Sequence, residues 1–448
     1  MFKLPGKLKV FSIILIVLGA LGIAYGFLTT PNTQEDVKEI VAAQQAKTQE
    51  LHLKYDAEVD QLHQSGFARK AIDFQENADF AQDETMLTKA LHQLRARPYA
   101  ATFVGAFFFF MLALGALVFH AIQYVSEAGW SRLLFRVFEG IHSYVLPGSI
   151  IVSIIILVAG TYFYPWMDSD LVAQDEILQG KSVYLNMPGF IIRMIIYLLI
   201  WNVYRYLMTR NSLAQSDMAD YTYSKKNYNI SVVFLILFGL SESTMTWDWF
   251  MSMQPHWYSA MYAWYLFASM FVCGITTIAM VTIFLKRLGY LDFINDSHLH
   301  DLAKYIFAFS IFWIYLWFSQ FMLIWYANIP EEASYFVFRF QHYRLSFLLP
   351  LIFNFVFPFL ILMNTDFKRI PWFIEFVGVF IMIGHYMSLY NMVIPSTVGV
   401  YGSFGIPEIA GILFFLGLFI LVVGIGLGKV ELRPKGDPYI KESENFEY

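Results

Sequence analysis

Ten long apolar runs decide what this chain can fold into. They lie at about Val10–Leu28, Tyr99–Tyr124, Gly140–Tyr164, Pro188–Met208, Tyr228–Phe250, Trp257–Leu285, Leu302–Ala327, Tyr343–Met363, Pro371–Ile394 and Ile406–Leu427. Each approaches or exceeds the roughly 20 residues a helix needs to cross a bilayer. Only 15% of the 448 residues are charged, whereas soluble domains carry about 25%. The 45 Phe, 28 Tyr and 11 Trp suit lipid-facing surfaces edged by aromatic belts. The expected fold class is therefore all-α, a polytopic membrane protein with ten transmembrane helices.

The opening MFKLPGKLKV and the apolar stretch to Leu28 have the layout of a signal peptide. No A-x-A-like cleavage site follows and the stretch is long enough to span, so a retained first helix is expected. Basic residues set the orientation. With the N-terminus inside, Lys3, Lys7, Lys9, Arg132, Arg136, Arg205, Arg210, Lys225, Lys226, Lys286, Arg287, Lys304, Lys368, Arg369, Lys429, Arg433, Lys435 and Lys441 all fall on the inner side. The short outer loops hold Lys181, with Arg339 and Arg344 beside the eighth span, and are otherwise acidic. Both termini are expected in the cytoplasm. The one long outer loop, about Pro31 to Pro98, is polar. Thr33 and Asp36 have capping-box spacing ahead of a stripe of Val37, Ile40 and Val41, which predicts one or two helices lying over the membrane surface. A partly disordered tether is the other reading of its charged composition. The tail after Lys429 is charged and short, a partner contact or a loose end.

Ionisable residues inside spans are costly and mark functional candidates. Ser241 to His256, SESTMTWDWFMSMQPH, places Glu242 and Asp248 at the end of the fifth run beside hydroxyls. Ser241, Thr244 and Asp248 share one helix face, Glu242 and Thr246 another. Arg193 lies about five residues into the fourth span, so an ion pair with Glu242 or Asp248 is one reading. His256, Gln320 and Arg339 lie toward the same outer surface as Arg193, where a quinone contact or simple ion pairing would each account for them, and His385 lies in the outer half of the ninth span. On the inner side His120, Tyr124 and Glu127 share a face, and Glu139 and His142 follow across a short loop. With Glu242, Asp248 and His385 on the outer side, His120, Glu127, Glu139 and His142 are proton-relay candidates, since imidazoles and carboxylates shuttle protons. Interfacial residues reaching water, and a satisfied core histidine for His385, are the plainer alternatives.

Cofactor chemistry is restricted. A di-haem cytochrome b needs paired axial ligands on facing helices, yet His120, His142 and His385 lie at different depths. Glu139-x-x-His142 matches half of a di-iron carboxylate site with no second half, so no metal is expected. The single cysteine, Cys273, excludes an intrachain disulfide, an iron–sulfur cluster held by this chain alone and a haem c attachment. There is no phosphate-cradling glycine loop and no basic patch beyond the inner loops, hence no nucleic-acid partner.

TWDWFMSMQPHWYSAMYAWYLF at 246–267, IWYANIPEEASYF at 324–336 and HLHDLAKY at 298–305 resemble the NrfD-like integral membrane subunits, nearest to those of bacterial alternative complex III. The resemblance implies a bacterial inner-membrane complex that oxidises quinol, with menaquinol as substrate. Electrons would pass through iron–sulfur and haem c subunits to cytochrome c or a terminal oxidase. It also implies two four-helix bundles, residues 99–252 and 253–395, with peripheral helices at 1–30 and 396–428, the outer loop at 31–98 and a tail at 429–448. Two NrfD-like subunits share such a complex, and the other, ActC, is the expected quinol site. This chain would then be a scaffold and proton conduit, binding no cofactor alone. Two competing readings are a quinone-binding anchor of another NrfD-type reductase and a secondary transporter. Polar residues gathered toward both surfaces, not at the midplane, argue against the transporter.

Overall fold

The computed structural model describes residues 2–63, 84–216, 218 and 220–447, and the side chains of these except 51–63. Among the described residues there is no strand. Ten helices are long and apolar enough to cross a membrane: Gly6–Leu28, Glu84–Val125, Arg132–Val158, Met187–Gln215, Thr222–Met253, Met261–Arg287, Asp296–Ala327, Arg344–Leu362, Pro371–Thr397 and Ile406–Leu427. They coincide with the ten expected runs and differ chiefly in extending beyond the apolar core at their ends. The protein is a polytopic all-α membrane protein. The end of the bundle near both termini is called proximal here and the other distal.

The second span is the axis. Residues from Phe103 to Ala121 are buried without interruption, as expected of a helix that is apolar all round. It packs against the third, fifth, sixth, ninth and tenth spans. Its crossing with the sixth is close: a Cβ on Gly115 would strike the Met270 carbonyl, and one on Gly274 the Gly115 backbone. Glycine is needed there so that two main chains can touch. The fourth span packs on the fifth, the seventh on the sixth, and the eighth on the ninth, while the first and tenth pair along one flank.

Apolar burial gives little net drive between helices already in lipid, so packing and polar contacts must hold them. The fourth and fifth spans show this along their whole length. Trp201 Nε1 donates to Ser241 Oγ at 3.1 Å, Tyr204 and Ser231 share a bond of 2.7 Å, and Asn211 Nδ2 donates to Asn227 Oδ1 at 3.0 Å. The eighth span contains a π-helical turn, Ile352–Val356, between Pro350 and Pro358. Each proline removes one helix N–H, and the widened turn accommodates the break.

Two expectations need correction. The long outer segment is helical where it is described, but it does not end at Pro98. Helix Gln34–His63 packs on the first turns of Glu84–Val125, which runs unbroken through Pro98. Forty-two residues make about 63 Å of helix at 1.5 Å each, twice a hydrocarbon core of about 30 Å, so this overhang stands off the membrane. The Thr33–Asp36 box forms as expected, with Thr33 N to Asp36 Oδ2 at 3.0 Å. Val37 and Val41 are buried against Leu87 and Ala90, whereas Ile40 is exposed.

Nor is the tail loose. Gly436 (φ 73°) turns it back over the proximal end. There Ser443 donates to Trp130 O at 2.6 Å and accepts from Leu133 N at 3.3 Å, and Asn295 Nδ2 donates to Phe446 O at 2.6 Å. The tail thus ties the second-to-third connection to the start of the seventh span.

Candidate functional site

The distal half of the fourth and fifth spans carries one closed ion pair. Asp248 is fully buried. Its Oδ2 accepts from Arg193 Nε at 2.7 Å and from Tyr197 OH at 2.7 Å, and its Oδ1 accepts from Arg193 NH2 at 3.0 Å. The guanidinium also lies 4.0 Å from the Tyr184 ring centroid. Arg193 and Tyr197 are one turn apart, so both reach a single carboxylate one helix away. The sequence left Arg193 two partners, and the structure selects Asp248. Glu242, six residues back and so turned about 240° round the helix, is buried elsewhere and bonds only to Thr246 Oγ1 of its own helix, at 3.2 Å.

The outer quinone-contact candidates do not converge. Gln320 Nε2 donates to Ser259 Oγ at 3.1 Å, and exposed His256 lies 2.6 Å from Asp175 Oδ2 at the surface. Arg339 is fully buried on the helix Pro330–His342. It is held by Asn391 O at 2.9 Å, Tyr335 O at 3.0 Å and Ser396 Oγ at 3.2 Å, over the Tyr335 ring. No hydrogen bond or ion pair joins any two of Arg193, His256, Gln320 and Arg339 among the described residues. His385 is buried edge-on to Trp313 at 5.3 Å, with neither ring nitrogen bonded within the protein.

The proximal group is built differently. His120 on the second span stacks on Tyr124 at 5.1 Å and on His142 of the third span at 5.7 Å. Both histidines are fully buried, and none of their four ring nitrogens has a hydrogen-bond partner. Glu139 is held through Oε2 by Arg136 NH1 at 2.6 Å, but its Oε1 is buried and unpartnered. Tyr124 OH accepts from Asn227 Nδ2 at 3.1 Å. A crevice lined by Tyr124, Arg132, Arg136, Asn227 and the tail residue Asp437 opens beside this group at the proximal surface. Arg132 NH1 meets Asp437 Oδ2 at 3.3 Å across its mouth. Glu127 is not a member: it is exposed just past the helix end in the left-handed region, φ 48°. The i, i+7 spacing that grouped it with His120 ends where the helix unwinds.

Buried imidazoles are normally hydrogen-bonded, and those without protein partners are satisfied by internal water. Such groups can take a proton at one nitrogen and release it from the other. Asp248 cannot do so without surrendering its Arg193 pair.

Two features lay outside the sequence reasoning. Glu408 is fully buried at the start of the tenth span, pairs with Arg97 Nε at 3.2 Å and accepts from Gly405 N at 2.8 Å. A glutamate three residues into a helix is a capping signal that could have found it. Arg205 lies in the proximal half of the fourth span without any carboxylate partner; its surroundings are taken up below.

Fold and site define the class as a multi-pass helical membrane protein with ionisable groups enclosed in its interior. Compared with known proteins, the chain matches no family model and no curated protein.

Proposed function

We propose that this chain is an NrfD-like membrane subunit of the ActF type. It would serve a quinol-oxidising respiratory complex related to alternative complex III, as scaffold and as a conduit for protons. Three segments support the family reading, 246–267, 298–305 and 324–336, together with the ten spanning helices. The observation that carries the conduit is the stacked pair His120–His142, enclosed and free of protein hydrogen bonds, beside a crevice at the proximal surface. Protons enter at the crevice, reach His120 past Tyr124, and pass to His142 through internal water. Glu139 Oε1 is a further acceptor at the same level. The quinone sits on ActC; iron–sulfur and haem c belong to partner subunits.

Two measurements test this. Mass spectrometry of subunits that co-purify with the tagged chain should find an iron–sulfur subunit, a haem c subunit and a second NrfD-like chain; their absence overturns the family reading. In the reconstituted complex, His142→Leu should keep quinol oxidation and abolish the accompanying proton movement. Unchanged proton movement removes the conduit and leaves the scaffold.

A further inference from the structure

We infer that the third and fourth spans hold the phosphate of an anionic phospholipid in the proximal leaflet, with Arg205 as the cation that binds it. Three other arginines enclosed in the protein are saturated: Arg193 by Asp248, Arg136 by Glu139 and Ser216, Arg339 by two carbonyls and Ser396. Among the described residues Arg205 has no hydrogen-bond or ion-pair partner, and its Nε is buried. The charged or titratable neighbour the structure gives it is His142, itself unpartnered.

The same helix face carries more unmet polarity. Asn202 Oδ1, three residues before Arg205, and Thr209 Oγ1, four residues after it, are both buried and unpartnered. Asn202 reaches the third span through its amide, Nδ2 to Ser149 Oγ at 3.1 Å, which places this face against that helix. A guanidinium with a hydroxyl one turn away is a donor set for the oxygens of a phosphodiester, which the planar fork can grip through two bonds.

Surroundings decide the source of that phosphate. Ile150, next to Ser149 on the third span, and Leu199, three residues before Asn202 on the fourth, are exposed apolar residues, a surface fit for acyl chains and hostile to a free ion. Arg205 also lies three residues, about 4.5 Å along the helix, inside the end of the apolar run at Met208. That is the depth at which a headgroup meets hydrocarbon. Basic sites between helices on one side of a membrane recognise anionic headgroups in this way. The inference stands independently of the proton conduit.

The test is native mass spectrometry of the full-length chain with whatever subunits accompany it. The protein is transferred into phosphatidylcholine nanodiscs and given phosphatidylglycerol or inorganic phosphate. The wild type should retain phosphatidylglycerol and gain thermal stability from it, with no gain from inorganic phosphate. Arg205→Gln should weaken retention about tenfold or more, as expected for loss of a charge-assisted pair. Thr209→Val, which keeps every charge, should weaken it less, and Arg210→Gln, on the exposed face, should leave it unchanged. Equal retention by Arg205→Gln, an equal loss in Arg210→Gln, or matching stabilisation by inorganic phosphate would each overturn the assignment. Should Arg205→Gln not fold, unchanged retention in Thr209→Val overturns it.

Discussion

The distal carboxylate and the proximal histidines occupy the same bundle at opposite depths, and they have opposite hydrogen-bond states. Both oxygens of Asp248 are bonded, Oδ1 by Arg193 and Oδ2 by Arg193 and Tyr197. At His120 and His142 no ring nitrogen is used at all. Burial alone therefore does not identify a working group. In a low-dielectric interior a saturated ion pair is a fastening, because changing its protonation strands a charge. An enclosed imidazole without protein partners breaks no protein hydrogen bond when it gains or loses a proton, and only the burial of the added charge opposes the change. The proposed conduit rests on that difference, with a fastening at one end and unbonded imidazoles at the other.

The sharpest way to break this contrast is Asp248→Ala. It leaves Arg193 without a counter-ion and Tyr197 without an acceptor, and should cost about 3 kcal/mol, the lower end for a broken buried pair because Arg193 is partly hydrated. Thermal unfolding in lipid nanodiscs measures it; a loss no larger than that of an exposed substitution would make the pair ornamental. Glu408→Ala should rank next, at about 2 kcal/mol, since it removes both the Arg97 partner and the cap on Gly405 N. Arg97 lies on the helix overhang near water, which softens the effect. If Glu408→Ala exceeded Asp248→Ala, depth in the membrane would not be what sets the cost.

His142→Leu tests the other side of the contrast. No protein hydrogen bond is lost and the volumes are close, so stability should change by less than about 1.5 kcal/mol. A loss comparable with that of Asp248→Ala would show that His142 is fastened after all.

Why the spans were legible and the partners were not follows from the same physics. A bilayer demands about 20 apolar residues per crossing, and that demand is written locally, so Ile406–Leu427 could be read to the residue. Partner choice depends on how each helix is rotated and how deep it sits. Asp248 and Glu242 were equal candidates for Arg193 because spacing along one helix does not say which face meets the next. Glu408 and Arg97 are 311 positions apart, and Arg97 falls at the end of the expected outer segment, about Pro31 to Pro98. Proline is tolerated within a helix whose neighbours re-satisfy the freed carbonyl. The docked tail was hidden for a similar reason: Ser443, buried at the proximal surface, lies in a segment whose charge reads as solvated.

The smallest effect sets the baseline, because it concerns a saturated carboxylate in water. Asp36 sits at the start of the outer helix, and bonds from the Thr33 side chain and then from the Thr33 and Asn32 backbone N–H groups hold its pKa below the ordinary carboxylate value. A depressed carboxylate stabilises the folded form above the unfolded pKa and loses that contribution as pH falls through the folded one. Hydrogen exchange of the amides at 34–41 should therefore be faster in Asp36→Asn than in the wild type at neutral pH, by a small margin. The two should draw together as pH falls below the unfolded carboxylate value of about 3.9 and converge only below the depressed value of the folded form. A wild-type advantage persisting in strong acid would mean that the ionised box does not hold this helix end. Loss of the box should leave the spans untouched, since the same kind of bond that water makes nearly redundant at Asp36 is what lipid makes indispensable at Asp248.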